Sequence, residues 1–489
     1  MRVALIAPKW NKRPNDYPPL GLAYLAAVLE QAGHEVGIFD FGLDPRVTLD
    51  EEVRRVCVFD PHLVGITAMT SLYHSALETA ILLKAYLGRP IVLGGPHATV
   101  YPERILADSP VIDFVVRGEG EETILDLVHA LDGRSRDLGG VHGITYRLRG
   151  EIVSNPDRPL ISDLDALPFP ARHLLDPADY GLSTPDGQPM ATILSSRGCP
   201  YHCSYCFKGI VGRTYRQRSS ASIIAELRHV IDGYGIRSFY FIDDLFTIDL
   251  RRLHDLTQQI LAAKLGIRWQ CLGRVDRVNE DILRQMYAAG CRRIHYGIES
   301  GNPDVLQRIG KNINLQQVRD AVRWAQAAGI HVKGYFMLGL PGDTEETMQQ
   351  TADLAAELNL DEAMFSLTTP FPGTRLWDDL VSKKPETEYS QDFALAYYYS
   401  NPEEEIVPFL NVSEVSDAVL GQWIPRAYRT VAEAKRKRLY EQAFGSRLGL
   451  ALWRLSRLDA LRVMARRLLG WGPFKEFARL RAKESRTWS

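Results

Sequence analysis

Short apolar runs alternate with amphipathic stretches along the first 150 residues. Helices are predicted at Leu20–Gln31, Tyr73–Tyr86 and Glu121–Leu131, and strands at Arg2–Ala7, Glu35–Asp40, Leu63–Thr67, Pro90–Leu93 and Phe114–Val116. Alternation of this kind predicts a doubly wound, Rossmann-like parallel sheet. Because ligands of such sheets bind beyond the carboxyl ends of the strands, the loops that follow the strands are the candidate binding loops.

A proline-rich stretch separates this region from a second alternating region. Gly143–Arg147 and Glu151–Ser154 are predicted to form a small hairpin across Gly150. Each proline of Asp157–Pro170 then keeps its predecessor out of the helical conformation, so this stretch is predicted to be extended, and residues 151–185 are assigned to a linker. Six strand and helix units follow, with strands near Ala191–Ser195, Ser238–Ile242, Arg268–Leu272, Arg293–Tyr296, Val332–Leu338 and Met364–Leu367. The predicted fold class is α/β: a Rossmann-like domain at 1–150, a partial (β/α)6 barrel at 186–385, and a mainly helical, basic region at 386–489.

The composition is that of an ordinary globular protein with several domains. The 489 residues are 45% hydrophobic and 24% charged. No apolar run approaches the ~20 residues of a membrane span, and the amino terminus enters a strand pattern without a signal-peptide cleavage site, so a cytoplasmic protein is expected. The six cysteines are too few for a disulfide framework, and Cys57, Cys271 and Cys291 are expected to be core thiols.

Basic residues are concentrated at the carboxyl end. From Arg426 onward the chain holds 17 lysines and arginines against 5 aspartates and glutamates, and leucines recur there at helical spacing. Three interpretations stay open: helices packed on the protein itself, a peripheral contact with an anionic membrane, or a surface for an acidic partner. Packing on the protein is favoured for the first part, and membrane contact ranks second. Nucleic acid is not expected as a partner, because no aromatic and basic platform accompanies these residues.

Three cysteines stand close together after the first strand of the second region. Cys199, Cys203 and Cys206 have the spacing C-x3-C-x2-C. Three thiolates on one loop can each bind one iron of a [4Fe–4S] cluster and leave the fourth iron without a protein ligand. A zinc site would need a fourth ligand, for which His202 is the neighbour, and structural zinc ligands usually come in two separated pairs. The spacing therefore favours an iron–sulfur cluster.

With Tyr205 in the aromatic position, this motif resembles that of the radical S-adenosylmethionine (SAM) superfamily. The resemblance implies that SAM chelates the open iron and is cleaved to a 5′-deoxyadenosyl radical. The predicted strand ends carry a matching set of SAM contacts: Tyr205 near the adenine, Glu299 and Ser300 near the ribose, Asp243 or Glu299 at the ammonium or a ribose hydroxyl, Arg274 at the carboxylate, and Gly339 in the turn after the fifth strand. A single charged residue is more often a solvated loop residue, but a common position at strand ends favours the binding role.

Four N-terminal loops resemble the cobalamin-binding domain that precedes many radical SAM domains. They are Pro18–Leu25, Val64–Thr67, Gly94–His97 and Arg117–Glu121, and the glycine pair lets a bulky ligand approach the backbone. The resemblance implies cobalamin contacts from Thr67, Met69, Thr70, Ser71, Tyr73, Gly94, Gly95, Pro96, His97, Gly118 and Glu119. The alternative is a flavodoxin-like domain without a ligand. A dinucleotide site is disfavoured because no G-x-G-x-x-G follows the first strand.

One motif would mislead if it were taken alone. Asp60–Gly65 matches D-x-H-x-x-G, which supplies the lower ligand of cobalt in some cobalamin enzymes. Here the motif precedes the third strand, so His62 is expected at the opposite edge of the sheet. The loop at the corresponding position, Pro8–Pro19, has no histidine. We therefore expect cobalamin to bind without a histidine from the protein, with Met69, Tyr73 and His74 as the side chains able to approach its lower face.

Together the resemblances cover residues 1–385 and imply a cobalamin-dependent radical SAM enzyme that methylates an unactivated carbon. The implied route is hydrogen abstraction by the 5′-deoxyadenosyl radical, then methyl transfer from methylcobalamin, with no protein general acid or base. The alternative keeps both cofactors without methyl transfer, as in the anaerobic cyclase that forms the fifth ring of chlorophyll. The complete cysteine triad disfavours a regulatory cobalamin-binding protein. A methylthiotransferase would need three N-terminal cysteines, where this chain has Cys57.

The resemblance also implies partners. An electron donor such as flavodoxin or ferredoxin is expected, together with a small-molecule or lipid-like substrate. Relatives act on amphipathic lipids, tetrapyrroles, peptides and antibiotic precursors, and the basic tail slightly favours a lipophilic or anionic compound. Tyr397, Tyr398 and Tyr399 are candidate residues of the substrate pocket, with core packing as the equal alternative.

Overall fold

The computed structural model describes residues 1–10, 16–133, 137–390, 392–396 and 406–456. Within these ranges the chain forms two compact units. The described residues of the first fall within 1–183, 189–271 and 370–396, and those of the second within 184–188, 272–369 and 406–456. The predicted boundaries at 150, 185 and 385 differ from this division, because the N-terminal sheet and the first half of the predicted barrel belong to the same unit.

The elements follow the predicted alternation. The strands are β1 Arg2–Ala7, β2 Glu35–Asp40, β3 Leu63–Thr67, β4 Ile91–Gly94, β5 Phe114–Val116, β6 Ile144–Leu148, β7 Glu151–Ser154, β8 Met190–Ile193, β9 Ser196–Arg197, β10 Arg216–Gln217, β11 Ser238–Phe241, β12 Arg268–Gly273, β13 Cys291–Glu299, β14 His331–Leu338 and β15 Glu362–Leu367. The helices are α1 Leu20–Gln31, α2 Leu49–Phe59, α3 Tyr73–Leu87, α4 Pro96–Val100, α5 Pro102–Asp108, α6 Glu121–Leu131, α7 Ser220–Tyr234, α8 Leu250–Ala263, α9 Glu280–Ala288, α10 Pro303–Arg308, α11 Leu315–Ala327, α12 Glu345–Glu357, α13 Arg375–Val381, α14 Asp417–Gly421, α15 Trp423–Phe444 and α16 Ser446–Ser456.

The first unit contains a seven-stranded sheet with the order β2-β1-β3-β4-β5-β6-β7. The first five strands of this order are parallel, and β6 and β7 add an antiparallel hairpin. Helices cover both faces, so β1 is buried along nearly its whole length, which explains its continuous apolar run. The strand order reverses between β1 and β3, and in such sheets this switch point is the usual ligand crevice.

All five predicted N-terminal strands and all three helices are confirmed. The fourth strand begins one residue later than predicted, at Ile91. Helix α2 was missed because its buried apolar stripe is short, consisting of Val53 and Val56. Its start is instead fixed by a capping box between Thr48 and Glu51.

The predicted hairpin is present as β6 and β7, which belong to the first sheet, so the extended part of the linker begins after Ser154. Beyond Ser154 it runs along elements of the first unit. The N–H of Ala171 donates to the carbonyl of Ala23 on α1 at 3.0 Å. The Arg172 guanidinium donates to the Thr192 carbonyl on β8 at 2.5 Å and to the Glu226 carboxylate on α7 at 2.8 Å. The linker thus ties the N-terminal sheet to the start of the second alternating region, as predicted.

The six predicted strands of the second region are all present as β8 and β11–β15. In the first unit β8, β11 and β12 run parallel, and in the second unit β13, β14 and β15 run parallel. At least one helix follows each of them, which is the predicted β/α alternation. Two elements were not predicted: the two-residue strands β9 and β10, which pair antiparallel.

Helices α15 and α16 close the described part of the chain. The N–H of Phe365 on β15 donates to the Tyr428 hydroxyl of α15 at 3.3 Å, and Arg438 of α15 donates to the Ala356 carbonyl of α12 at 2.8 Å. The first part of the basic region therefore packs on the protein itself, as favoured above. Within the described residues, no helix combines the length and apolar composition that crossing a membrane requires. The tail beyond Ser456 and the tyrosines at 397–399 lie outside the described residues.

The cysteines outside the motif differ from one another. Cys271 and Cys291 are buried core thiols, as predicted. Cys57 is partly exposed on α2, so the expectation of a core thiol was wrong for this residue. Its place near the carboxyl end of a surface helix explains the difference.

Candidate active site

The three motif cysteines lie on a loop whose ends are held together. Strands β9 and β10 pair Arg197 with Arg216 and enclose residues 198–215. Gly198 begins the loop with a φ of +86°, and a Cβ there would lie 2.3 Å from the carbonyl oxygen of Thr214. Only glycine fits this conformation and this close approach. The cysteine loop therefore leaves the sheet through a turn that no other residue would accept.

A buried carboxylate supports the start of this loop. Asp243, after β11, accepts hydrogen bonds from the Ser195 N–H at 2.6 Å, the Ser195 hydroxyl at 2.5 Å and the Ser196 hydroxyl at 2.6 Å. Burial raises the pKa of Asp243, while Arg252 and these donors act in the opposite direction. These hydrogen bonds hold the start of the cysteine loop beside β11. The SAM contact expected of Asp243 stays a prediction.

The thiols differ in exposure. Cys199 is buried, and Cys203 and Cys206 are partly exposed. Burial raises the pKa of the Cys206 thiol, and the nearby Lys208 ammonium acts in the opposite direction. Lys208 itself lies 3.4 Å from Asp244. A positive group beside the thiols favours the thiolate, the form that binds iron.

The donor set fits an iron–sulfur cluster. In the ranges that the structure describes, no three His, Cys, Asp or Glu side chains converge in the way a single metal ion requires. A cluster differs from a single ion, because each thiolate binds a different iron. Tyr205 is half-buried in the same loop, beside Ser204, whose carbonyl accepts the N–H of Leu376 at 2.8 Å.

A cavity of about 620 Å³ opens in the first unit at the carboxyl ends of β1, β3, β4 and β5. The start of α1 and part of the cysteine loop complete its wall. The lining is mainly apolar and consists of Leu5, Ala7, Pro8, Trp10, Asp16, Tyr17, Pro19, Leu20, Gly21, Leu22, Tyr24, Leu25, Gly65, Ile66, Thr67, Met69, Leu72, Val92, Gly94, Gly95, Pro96, Val116, Gly118, Glu119, Gly120, Glu121, Ile124, Leu194, Arg197, Ile210, Val211 and Ile242. The cavity is therefore at the switch point of the sheet.

Glycines shape this cavity in two ways. Gly95 has a φ of +95°, and a Cβ there would come within 2.8 Å of the Thr67 hydroxyl, so the backbone turn itself requires glycine. Gly94 is different, because a Cβ there would meet only Val116, at 3.9 Å. A Cβ at Gly21 would meet no atom within 4 Å. The protein's own packing does not explain these two glycines, and space for a large ligand does. The cavity thus fits cobalamin.

Seven of the eleven predicted cobalamin contacts line the cavity: Thr67, Met69, Gly94, Gly95, Pro96, Gly118 and Glu119. The other four, Thr70, Ser71, Tyr73 and His97, do not. The Tyr73 and His97 rings stack on each other with centroids 4.1 Å apart. Burial, with smaller contributions from Arg104 and His74, lowers the pKa of His97 to about 3. The cobalamin contacts expected of these four residues stay predictions.

His62 lies at the amino end of β3, as expected. Its Nδ1 accepts the N–H of Arg2, at the start of β1, at 2.8 Å. Thr67 and Met69, which line the cavity, follow the other end of the same strand. The D-x-H-x-x-G match is therefore remote from the cavity.

A buried network of ion pairs joins the cavity wall to the cysteine loop. Arg197 binds Glu119 at 2.7 Å and Glu121 at 2.5 Å, and Arg216 binds Glu119 at 2.7 Å. No side chain of the four is more than 7% exposed. The Arg197 guanidinium also lies over the Tyr24 ring, 5.6 Å from its centroid. We call Glu119, Glu121, Arg197 and Arg216 the clamp.

The remaining predicted SAM contacts lie in the second unit. Glu299 ends β13 at a β-bulge with a φ of +68°, and its carboxylate binds Lys311 at 2.9 Å. Arg274 donates to Asp276 at 2.6 Å and to the carbonyl of Lys311. Lys311 thus brings Arg274 and Glu299 together. Positive φ in a non-glycine residue is strained, and such strain is typical of functional sites.

Ser300 and Gly339 are both closely packed within the second unit. Ser300 is fully buried, and its hydroxyl accepts the N–H of Asn302 at 3.1 Å and lies 3.3 Å from the Thr351 hydroxyl. Gly339 turns with a φ of +82°, and a Cβ there would meet the Leu420 side chain at 2.9 Å. The turn at residue 339 therefore requires glycine.

Sequence reasoning missed Lys311 and two members of the clamp, Glu121 and Arg197, and for Arg216, which follows the cluster loop, it left open whether the side chain faces the cofactors or solvent. Arg197 stands two residues before Cys199, and Glu121 belongs to the glycine-rich loop used for the cobalamin resemblance. Their positions beside these two motifs could have drawn attention to both residues. The neighbouring sequence does not show, however, that Arg197 pairs with Glu121. Trp10, Tyr17 and Tyr24 of the cavity wall could have been found, since Tyr24 belongs to the Pro18–Leu25 motif and the other two precede it.

Comparison with known proteins identifies the family of the N-terminal region and that of the region that bears the cysteine motif. Residues 10–128 match the B12 binding domain, and residues 193–355 match the radical SAM superfamily. An uncharacterized methyltransferase of Pyrococcus horikoshii is 40% identical over 367 residues, which cover 75% of this chain and 79% of the relative. This chain belongs to the cobalamin-binding radical SAM enzymes.

Other members of the family differ in their named reactions. Cytidylyl-2-hydroxyethylphosphonate methyltransferase of Streptomyces wedmorensis is 31% identical over 444 residues, covering 78% of this chain and 82% of the relative. The anaerobic magnesium-protoporphyrin IX monomethyl ester cyclase of Rubrivivax gelatinosus is 30% identical over 393 residues, covering 78% and 70%. Both the predicted activity and its alternative thus have relatives, and methyl transfer has the better support.

Two solved structures share the fold. The cobalamin-dependent radical enzyme OxsB, with aqua-cobalamin and SAM bound, superposes with a TM-score of 0.70 at 16% identity, over 96% of this chain and 75% of that one. The methyltransferase TsrM from Kitasatospora setae, with cobalamin and a [4Fe–4S] cluster, gives 0.66 at 21% identity, over 78% and 75%. The fold class, the enzyme class and the three cofactors, SAM, [4Fe–4S] and cobalamin, are confirmed for this cobalamin-binding radical SAM enzyme.

Proposed function

We propose that this enzyme methylates an unactivated carbon of a small molecule, with cobalamin bound in the cavity of the first unit. The observation that carries the proposal is the double lining of that cavity. The ends of the sheet strands supply one part of the wall, and Leu194, Arg197, Ile210 and Val211, on and beside the cysteine loop, supply another. A group in the cavity therefore lies next to the loop that bears the cluster thiols.

The site residues divide into three groups. Cys199, Cys203 and Cys206 are proposed to hold three irons of the cluster. The seven cavity residues named above are proposed to contact cobalamin, together with Trp10, Tyr17 and Gly21. Tyr205, Arg274, Glu299, Ser300 and Gly339 are proposed to bind SAM.

When bound, SAM and the cluster supply a hydrogen-abstracting radical, and cobalamin supplies the methyl group. The residues of the chain bind, orient and exclude water. The apolar cavity wall keeps water from the reacting groups. Asp243 and the β9–β10 pair keep the cysteine loop in place. No side chain is proposed to move a proton.

SAM products distinguish this proposal from the cyclase alternative, which the Rubrivivax gelatinosus relative supports. The anaerobically reconstituted enzyme would be incubated with methyl-labelled SAM, a reductant and fractionated host extract. Methylation predicts equal amounts of 5′-deoxyadenosine and S-adenosylhomocysteine and label in the product. Formation of 5′-deoxyadenosine without S-adenosylhomocysteine would support the cyclase alternative. The Cys203→Ala variant should give neither product, and the Cys57→Ala variant is the matched control.

Flavodoxin or ferredoxin is proposed as the electron donor, and a lipophilic or anionic compound as the substrate. Peripheral membrane contact through the basic carboxyl end is the secondary proposal. It predicts that the full chain floats with anionic vesicles and that truncation after Tyr440 abolishes flotation. Equal flotation of both forms would exclude a role for that region.

A further inference from the structure

The clamp connects the wall of the cavity to the loop that bears the three cysteines. Glu119 lies in the loop between β5 and α6, Glu121 is the first residue of α6, and both line the cavity. Arg197 and Arg216 are the paired residues that close the cysteine loop. A single buried network therefore includes the cavity wall on one side and both ends of the cysteine loop on the other.

The arrangement resists partial movement. Each oxygen of the Glu119 carboxylate binds a different arginine: Oε1 accepts from Arg197 and Oε2 from Arg216. Oε2 also accepts the N–H of Ile161 at 2.8 Å. If the glutamate loop moved alone, two buried arginines would lose their partner, which is strongly unfavourable. The two loops are thus expected to move together.

A ligand in the cavity touches this network directly. Arg197, Glu119 and Glu121 form part of the cavity wall, and so does Tyr24, over which Arg197 lies. Filling the cavity excludes water from one side of the network. Ion pairs in a drier environment are stronger, so the ligand would restrict the positions of all four clamp residues.

From these contacts we propose that Glu119, Glu121, Arg197 and Arg216 are positioning residues that couple the two sites: cobalamin in the cavity orders the cysteine loop, and cluster on the loop tightens cobalamin. The inference rests on the proposed cavity assignment. The coupling is reciprocal by thermodynamic necessity, so each cofactor changes the affinity of the other by one and the same factor.

The experiment measures this factor without turnover. Hydroxocobalamin is titrated into cluster-free and cluster-reconstituted full-length protein, and the dissociation constants are compared. We expect the cluster to tighten binding by a factor in the usual allosteric range, on the order of 5- to 150-fold. In Glu121→Gln and Arg197→Lys, which weaken the clamp and keep its shape, the factor should fall toward one. Glu122→Gln is the matched control, because this exposed neighbour pairs with Arg158 instead.

Hydrogen exchange supplies the second readout. In cluster-free wild-type protein, hydroxocobalamin should slow amide exchange across residues 198–215, and in Glu121→Gln it should not. Equal cobalamin affinity with and without the cluster in wild-type protein would overturn the inference and leave the cavity assignment intact. An unchanged coupling factor in both clamp variants would also overturn it. Failure of wild-type protein to bind cobalamin would instead overturn the cavity assignment and, with it, the coupling.

Discussion

The ammonium of Lys311 donates to the Glu299 carboxylate at 2.9 Å, and both side chains are no more than 10% exposed. Breaking one partner of a buried pair leaves an uncompensated charge, at a typical cost of about 3–5 kcal/mol. We therefore expect Lys311→Met to lower the free energy of unfolding by about that amount in urea titrations.

The double variant Lys311→Met with Glu299→Gln should recover part of this loss, because it leaves no unpaired carboxylate. Lys384→Met, at an exposed position, is the control and should change stability by less than about 0.5 kcal/mol. A Lys311→Met variant as stable as this control would show that the pair does not hold the end of β13.

A large side chain at residue 94 should compete with cobalamin. The Cβ of Gly94→Leu meets only Val116, and the rest of the side chain would extend into the cavity. We expect loss of cobalamin binding by visible absorbance, with unchanged circular dichroism and iron content. Gly233→Leu is the control, since residue 233 is an exposed position of α7 with no atom near its Cβ position. Retained binding in Gly94→Leu would contradict the cavity assignment.

Removal of one cluster ligand should separate the cofactors. Cys206→Ala is expected to lose the iron–sulfur absorbance and the reductive cleavage of SAM. Only two thiolates then remain, whereas three irons of the cluster each need one. Cobalamin should still bind, with the affinity of the cluster-free wild-type protein. The partly exposed Cys57→Ala serves as the control and should keep both cofactors. A Cys206→Ala protein that still cleaves SAM would show that the triad has been misassigned.

Acid should destabilise the first unit through His97. Its folded pKa is about 3, mainly because of burial, and the unfolded value is about 6.5. Between these values the unfolded chain binds the extra proton, so stability rises with pH and is lost as pH falls below about 6.5. The slope can reach about 1.4 kcal/mol per pH unit.

In His97→Gln this part of the slope should be absent. Urea midpoints measured from pH 4 to 7 for both proteins provide the test, and the difference between the two curves isolates His97 from other acid-sensitive groups. Parallel curves would show that His97 takes up its proton without unfolding the surrounding structure.

Local sequence patterns predicted most of the fold. The β1 run and the α1 periodicity depend only on neighbouring residues, and both elements have their predicted bounds. The cysteine spacing likewise fixes the loop that bears the thiols. A pattern of this kind could not find Lys311 or the clamp, because their partners are distant in sequence and pair only after folding.

A position at a strand end does not by itself predict what a carboxylate binds. Asp243 follows β11, Glu299 is the last residue of β13, and both carry a carboxylate. The Asp243 carboxylate accepts hydrogen bonds from the hydroxyls of Ser195 and Ser196, and the Glu299 carboxylate forms an ion pair with Lys311. The sequence places a carboxylate at a strand end, but the direction of its side chain is decided by which donors fold against it.

The paired ends of the cysteine loop affect how the loop tolerates change. Arg197 and Arg216 pair across β9 and β10, so the two ends of the cysteine loop are held together without the cluster. The entropic free-energy cost of closing such a loop grows only with the logarithm of its length, by about 0.6 kcal/mol for each doubling. A longer loop should therefore close at little extra cost as long as Ile210 and Val211 keep their places in the cavity wall, whereas any residue other than glycine at 198 would prevent the closure itself. The paired ends thus separate the length of the loop, which can vary, from its first residue, which cannot.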